Sequence, residues 1–155
     1  MRILVLGGYG LIGSALTRRL IKDRHEVTGL GRSTSAGQRL IPDAAWIKAD
    51  IARLIHAADW QRVISGFDAV VNASGALQTG GRDNVQAVQS AAIIALIEAC
   101  EEANVRRFIQ ISATMASTDA KTDFMRSKGE ADARLKASTL DWTIYRPGLV
   151  IAHAA

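Results

Sequence analysis

Ile3-Leu4-Val5-Leu6-Gly7-Gly8-Tyr9-Gly10-Leu11-Ile12-Gly13 joins two periodicities through a run of glycines. Residues 3–6 are continuously apolar, as a strand covered on both faces of a sheet must be. From Leu11 to about Asp23 the spacing becomes helical. Leu11, Ile12, Ala15, Leu16 and Leu20 form one stripe, and Thr17, Arg18 and Lys22 are predicted on the opposite face. Two glycine patterns overlap in the turn, G-x-G-x-x-G from Gly8 and G-x-x-G-x-x-G from Gly7. Glycine permits a tight positive-φ turn and lets a pyrophosphate approach the backbone. Gly13 allows close helix–strand packing, although a helical glycine costs roughly 1 kcal/mol. The first N–H groups of the helix lack intrahelical partners and can hold phosphate. Gly7, Tyr9, Gly10, Leu11, Ile12 and Gly13 are therefore candidate dinucleotide-binding residues.

The alternation continues along the chain. Strands are predicted at Glu26–Leu30, Ala45–Lys48, Asp68–Asn72, Arg107–Ser112 and Trp142–Tyr145. Helical stretches fall around Gln38, at Trp60 to Ile64, from Asn84 to Asn104 and from Thr122 to Ser138. Strand and helix in strict alternation require parallel strands joined by right-handed crossovers, with helices on both faces. The expected fold is a doubly wound three-layer α/β/α sheet of the Rossmann type, with strand order 3-2-1-4-5-6.

Composition narrows the function classes. The 155 residues are 48% hydrophobic and 22% charged, with two prolines, which fits one globular domain and excludes a disordered or collagen-like chain. No apolar run reaches the roughly 18–20 residues that span a bilayer, and no secretory leader is expected at the amino terminus. Cys100 is the one cysteine, so a reducing, cytoplasmic setting is expected. Nineteen basic residues against fifteen acidic ones give +4, scattered without a basic run, so neither a nucleic acid nor a membrane is an expected partner. His25, His56 and His153 lack metal-ligand spacing, no G-x-S-x-G elbow occurs, and packing is expected to account for Trp46, Trp60 and Trp142.

The end of the second strand reads the cofactor's 2′ position. An acidic residue there favours NAD, and an arginine welcomes the 2′-phosphate of NADP. Gly31-Arg32-Ser33 offers Arg32 and no carboxylate, so NADP(H) is the preferred cofactor; the competing reading is a solvated loop arginine.

Six segments then occur in order: the glycine turn, Asp50-Ile51, Asn72-Ala73-Ser74-Gly75, Ile111-Ser112, Lys128-Gly129-Glu130-Ala131-Asp132 and Tyr145-Arg146-Pro147-Gly148. Together they resemble the short-chain dehydrogenase/reductases, specifically the atypical and extended branch of NAD-dependent epimerase/dehydratase and NAD(P)H-binding proteins. The resemblance covers the whole chain. It implies that Asp50 and Ile51 lie against the adenine and that Ala73, Ser74 and Gly75 line the pyrophosphate and ribose. Ile111 and Ser112 would approach the nicotinamide, Lys128 its ribose, and Pro147 and Gly148 the carboxamide edge. It also implies a possible homodimer through the long helix. In that family residues beyond the sixth strand build the substrate pocket. Residues 1–155 are thus expected to form a single dinucleotide-binding domain with the substrate-binding portion largely absent.

One departure matters. Family catalysis uses a tyrosine four residues before the lysine, whose charge lowers the phenol pKa. Here that position is Phe124, which has no ionisable proton. Lys128 and Ser112 remain the candidate catalytic groups, with ordered water as another proton source, while Ser112 has an equal claim to simply ending a strand. Two functions stay open: an oxidoreductase moving hydride to or from a small organic molecule, and a non-catalytic NADP(H)-binding sensor, regulatory or assembly module.

Overall fold

The structure, a computed structural model, describes residues 1–75 and 90–151. Strands β1 (Arg2–Leu6), β2 (Glu26–Gly31), β3 (Ala45–Lys48), β4 (Ala69–Asn72), β5 (Arg107–Ile111) and β6 (Asp141–Tyr145) form one parallel sheet in the order β3-β2-β1-β4-β5-β6. This is the predicted doubly wound order. The crossovers carry helices α1 (Leu11–Lys22), α2 (Thr34–Leu40), α3 (Ala57–Ile64), α4 (Ala92–Glu102) and α5 (Asp123–Lys136), with a 3-10 turn at Ile51–Arg53.

Strand alternation sorts the core into two clusters. Leu4, Leu6, Leu30, Val70 and Phe108 pack with Trp60 and Ile64 of α3, Leu96 of α4 and Leu135 of α5. Ile3, Val5, Val27, Ala69 and Val71 form the other cluster, against Leu16, Leu20 and Ile21 of α1. Burial on both faces explains why β1 and β4 read as unbroken apolar runs. In register, β1 places Leu6 beside Leu30 of β2 and beside Asn72 of β4, so three strand ends meet at one level.

Three expectations are corrected. The buried face of α1 runs through Gly13 and Thr17, while Leu11 and Ala15 are exposed. Thr17, expected on the polar face, is fully buried and donates its hydroxyl to the Gly8 carbonyl at 3.4 Å. The glycines cause this shift, because a helix that enters through Gly10 and presses Gly13 against the turn rotates its contact line onto Thr17. Trp142 is 38% exposed, since it lies on the edge strand β6. The long helix is described from Ala92, and residues 84–89 of the expected stretch lie outside the described residues. Helices α1 and α2 pack on β1, β2 and β3. Beside β5 on that same face, Thr143 and Tyr145 of β6 are exposed.

Candidate dinucleotide site

The carboxyl ends of β1, β2, β3 and β4 enclose a cleft of about 240 Å³. It sits where strand order reverses, between β1 and β4, as expected for a ligand site in an open parallel sheet. Gly7, Tyr9 and Gly10 line it from the first turn, and Arg32 from the end of β2. Asp50 and Ile51 line it beyond β3, and Ala73, Ser74 and Gly75 beyond β4. Leu30, Gly31, Ala49 and Ala52 also line it; none is among the residues named from sequence, although Gly31, Ala49 and Ala52 each adjoin one in the chain. The other candidates stand outside this cleft. Leu11, Ile12 and Gly13 open α1, Ile111 ends β5, Lys128 is on α5, and Pro147 and Gly148 follow β6.

The turn has the shape a pyrophosphate needs. Gly7 adopts φ +70°, and a Cβ there would lie 2.9 Å from the Ala73 carbonyl oxygen. A Cβ on Gly13 would meet the Gly7 carbonyl oxygen at 2.1 Å, so neither position accepts a side chain without backbone movement. The Gly10 N–H donates to the Gly7 carbonyl at 2.8 Å and closes the turn. Gly10 caps α1 in extended conformation with no side-chain bond, so no cap side chain occupies the donors at the helix start.

At the β2–β3 end of the cleft, the Tyr9 ring lies 5.7 Å from that of Trp46, and its hydroxyl accepts the Ser33 N–H at 3.3 Å. Arg32 is exposed at the rim of the cleft, and the stretch Gly31-Arg32-Ser33 that ends β2 contains no Asp or Glu. Asp50 lies one strand further on, and its Oδ1 accepts the Ala52 N–H at 3.2 Å.

The opposite end is built on buried polar groups. Asn72 Oδ1 accepts from the Ser74 N–H (3.1 Å) and hydroxyl (2.5 Å), while its Nδ2 donates to Gln110 Oε1 at 2.8 Å. Lys128 is only 3% exposed and does not reach for solvent. Its Nζ donates to the carbonyls of Ser74 and Ile111, each at 2.9 Å, tying the loop after β4 to the end of β5. Burial lowers its pKa to about 8, and the nearby Asp132 carboxylate pulls in the opposite direction. Ser112 donates its hydroxyl to Asp132 Oδ2 at 2.7 Å, and Arg146 donates to the same oxygen at 2.9 Å. Phe124, one turn before Lys128, is half-buried. Asp132 and Arg146 stand inside quoted motifs but had been given no role. The available signal was position, since Asp132 follows Lys128 by four residues and shares its helix face.

The sequence model of the NAD(P)H-binding family matches residues 7–153. The chain belongs to that family. As a member of the NAD(P)H-binding family it is similar to the Bacillus subtilis sugar epimerase YhfK, itself uncharacterized, at 30% identity over 96% of this chain and 72% of that protein. It is similar to the photosystem II assembly factor Ycf39 of Synechocystis at 28% identity over 93% of this chain and 43% of that protein. Among solved structures, a Bacillus halodurans protein described as an NAD-dependent epimerase/dehydratase superposes with TM-score 0.85 at 28% identity, over 100% of this chain and 73% of that one. The chain spans between 43% and 72% of the length of the curated relatives it matches.

The residues present fit a nicotinamide dinucleotide. The side-chain-free cradle at Gly7 and Gly13 and the open donors of α1 would hold the pyrophosphate, and Lys128 would face the second ribose. When bound, such a cofactor supplies hydride chemistry; the chain's part is to bind and orient it. Among the described residues no group of three or more His, Cys, Asp or Glu could hold a metal ion, and no helix is long and apolar enough to cross a membrane. Cys100 is buried, and burial pushes its thiol up to about 12, which leaves no thiolate for nucleophilic work.

Proposed function

We propose that this NAD(P)H-binding protein is an NADP(H)-dependent oxidoreductase that moves hydride to or from a small organic molecule without the tyrosine of its relatives. The observation that supports the cofactor preference is Arg32 on the rim of the cleft, where the chain places an arginine rather than an acidic residue in Gly31-Arg32-Ser33 at the end of β2. A charge-assisted contact to the 2′-phosphate is worth about 1.5–3 kcal/mol, or roughly ten- to a hundredfold in affinity. NADPH therefore binds more tightly than NADH, and Arg32→Ala removes the difference; fluorescence titration of both dinucleotides measures it. Equal dissociation constants in the intact protein would overturn the preference.

For the chemistry, Lys128 supports hydride transfer by standing at the second-ribose end. The Ser112 hydroxyl proton is already given to Asp132, which leaves Ser112 lone pairs rather than a donor for a substrate. Acceptors needing little acid assistance, such as a flavin or a conjugated quinone, suit this site. Single-turnover mixing of bound NADPH with carbonyls, quinones and flavins should show absorbance loss with the latter two, suppressed in Lys128→Ala. Phe124→Tyr should add activity toward simple carbonyls.

A second reading, a non-catalytic NADP(H)-binding assembly or sensor module, draws support from Phe124 and from the similarity to an assembly factor. Tight NADPH binding with a flat trace across the whole panel would favour it.

A further inference from the structure

Across the sheet the lined cleft runs from β3 to β4, so a complete dinucleotide must extend its second half over the ends of β5 and β6. A single buried carboxylate joins those two ends through side chains. Asp132, 1% exposed, uses one oxygen, Oδ2, to accept from Ser112 just after β5 (2.7 Å) and from Arg146 just after β6 (2.9 Å). Its other oxygen, Oδ1, is buried without a partner among the described residues. A carboxylate buried so incompletely satisfied is poor value for stability, because desolvation offsets much of its attraction to an arginine. It does define geometry, since both donors must converge on one atom. The next residue after Arg146 is Pro147, whose carbonyl accepts the Thr114 hydroxyl at 2.8 Å, and the Ser112 N–H donates to the Tyr145 carbonyl at 2.8 Å. The Pro147-Gly148 turn is thus suspended between α5, through Asp132, and the loop after β5.

We infer that Asp132 is a positioning residue for the nicotinamide half of the cofactor: by fixing Ser112 and Arg146 it sets the Pro147-Gly148 turn against that half. This rests on the cleft holding a dinucleotide, as proposed above. It assigns Asp132 no contact with the cofactor and no role at the adenosine end.

The test separates the two halves of the ligand. Dissociation constants are measured for NADPH against 2′,5′-ADP, and for NADH against 5′-AMP, in the intact protein, Asp132→Asn and Arg146→Gln. Arg146 is partly exposed, so its variant keeps the test open if Asp132→Asn folds poorly. Both variants should weaken the dinucleotides about three- to tenfold, as loss of a charge-assisted bond allows, and leave the fragments unchanged. A merely structural role would weaken fragment and dinucleotide by the same factor, and that result overturns the inference. So does a dinucleotide affinity that neither variant alters. If the intact protein binds none of the four ligands, the dinucleotide reading itself falls, and this inference with it.

Discussion

Lys128 shows how one atom count can set a pH dependence. A protonated lysine has three N–H donors, and two are spent on the carbonyls of Ser74 and Ile111. The third is free for a cofactor hydroxyl. The neutral amine has only two, both already committed. With its pKa lowered to about 8 by burial, Lys128 loses its spare donor as pH rises through that value. NADPH affinity should therefore fall several-fold between pH 7 and pH 9, and Lys128→Met should flatten the profile; fluorescence titration across that range checks both. Stability moves the other way. The unfolded lysine holds its proton up to about 10.5, so the cost of burying the charge is present in full below pH 8 and is relieved between about 8 and 10.5.

At the scale of elements, α4 and α5 are braced by Arg134, which donates to Glu101 at 2.6 Å and Glu98 at 3.5 Å. Glu101 also accepts the Thr139 N–H at 2.8 Å, so the brace reaches the turn before β6. Arg134→Met should cost about 1–2 kcal/mol in chemical denaturation, more than an isolated surface pair, because several bonds share one partly buried guanidinium. The same elements show what the sequence could reveal. Strands β1 and β4 were legible because burial on both faces leaves an unbroken apolar run, and the glycine turn because only its backbone needs those residues. The residues that line the cleft at the ends of β2, β3 and β4 followed, since each comes at or just after a strand's carboxyl end on the same sheet edge. The α1 register was misread because hydrophobicity does not report that Gly13 sets the depth of approach. The Asp132 clamp was illegible for a different reason: it joins α5 to the residues just after β5 and β6, whose meeting depends on the sheet register, and a buried aspartate looks in sequence like any solvated one.

Across the whole molecule the sheet is unevenly covered. All four residues of β4 are buried, and β1 is buried along Ile3–Leu6, whereas β6 is exposed at Asp141, Trp142, Thr143 and Tyr145. Opening free energy follows buried contacts. Amide hydrogen exchange should therefore be slowest in β1 and β4 and faster by orders of magnitude in β6; uniform protection across the six strands would contradict this. The gradient bears on the ligand. In the proposed binding mode the pyrophosphate lies over the rigid middle of the sheet, at the turn after β1, while the nicotinamide half reaches toward the strand that opens most readily. A bound dinucleotide would then act as a splint laid from sound timber to loose, and the greatest gain in protection on adding cofactor belongs to β6, the strand farthest in the sheet from the glycine turn after β1.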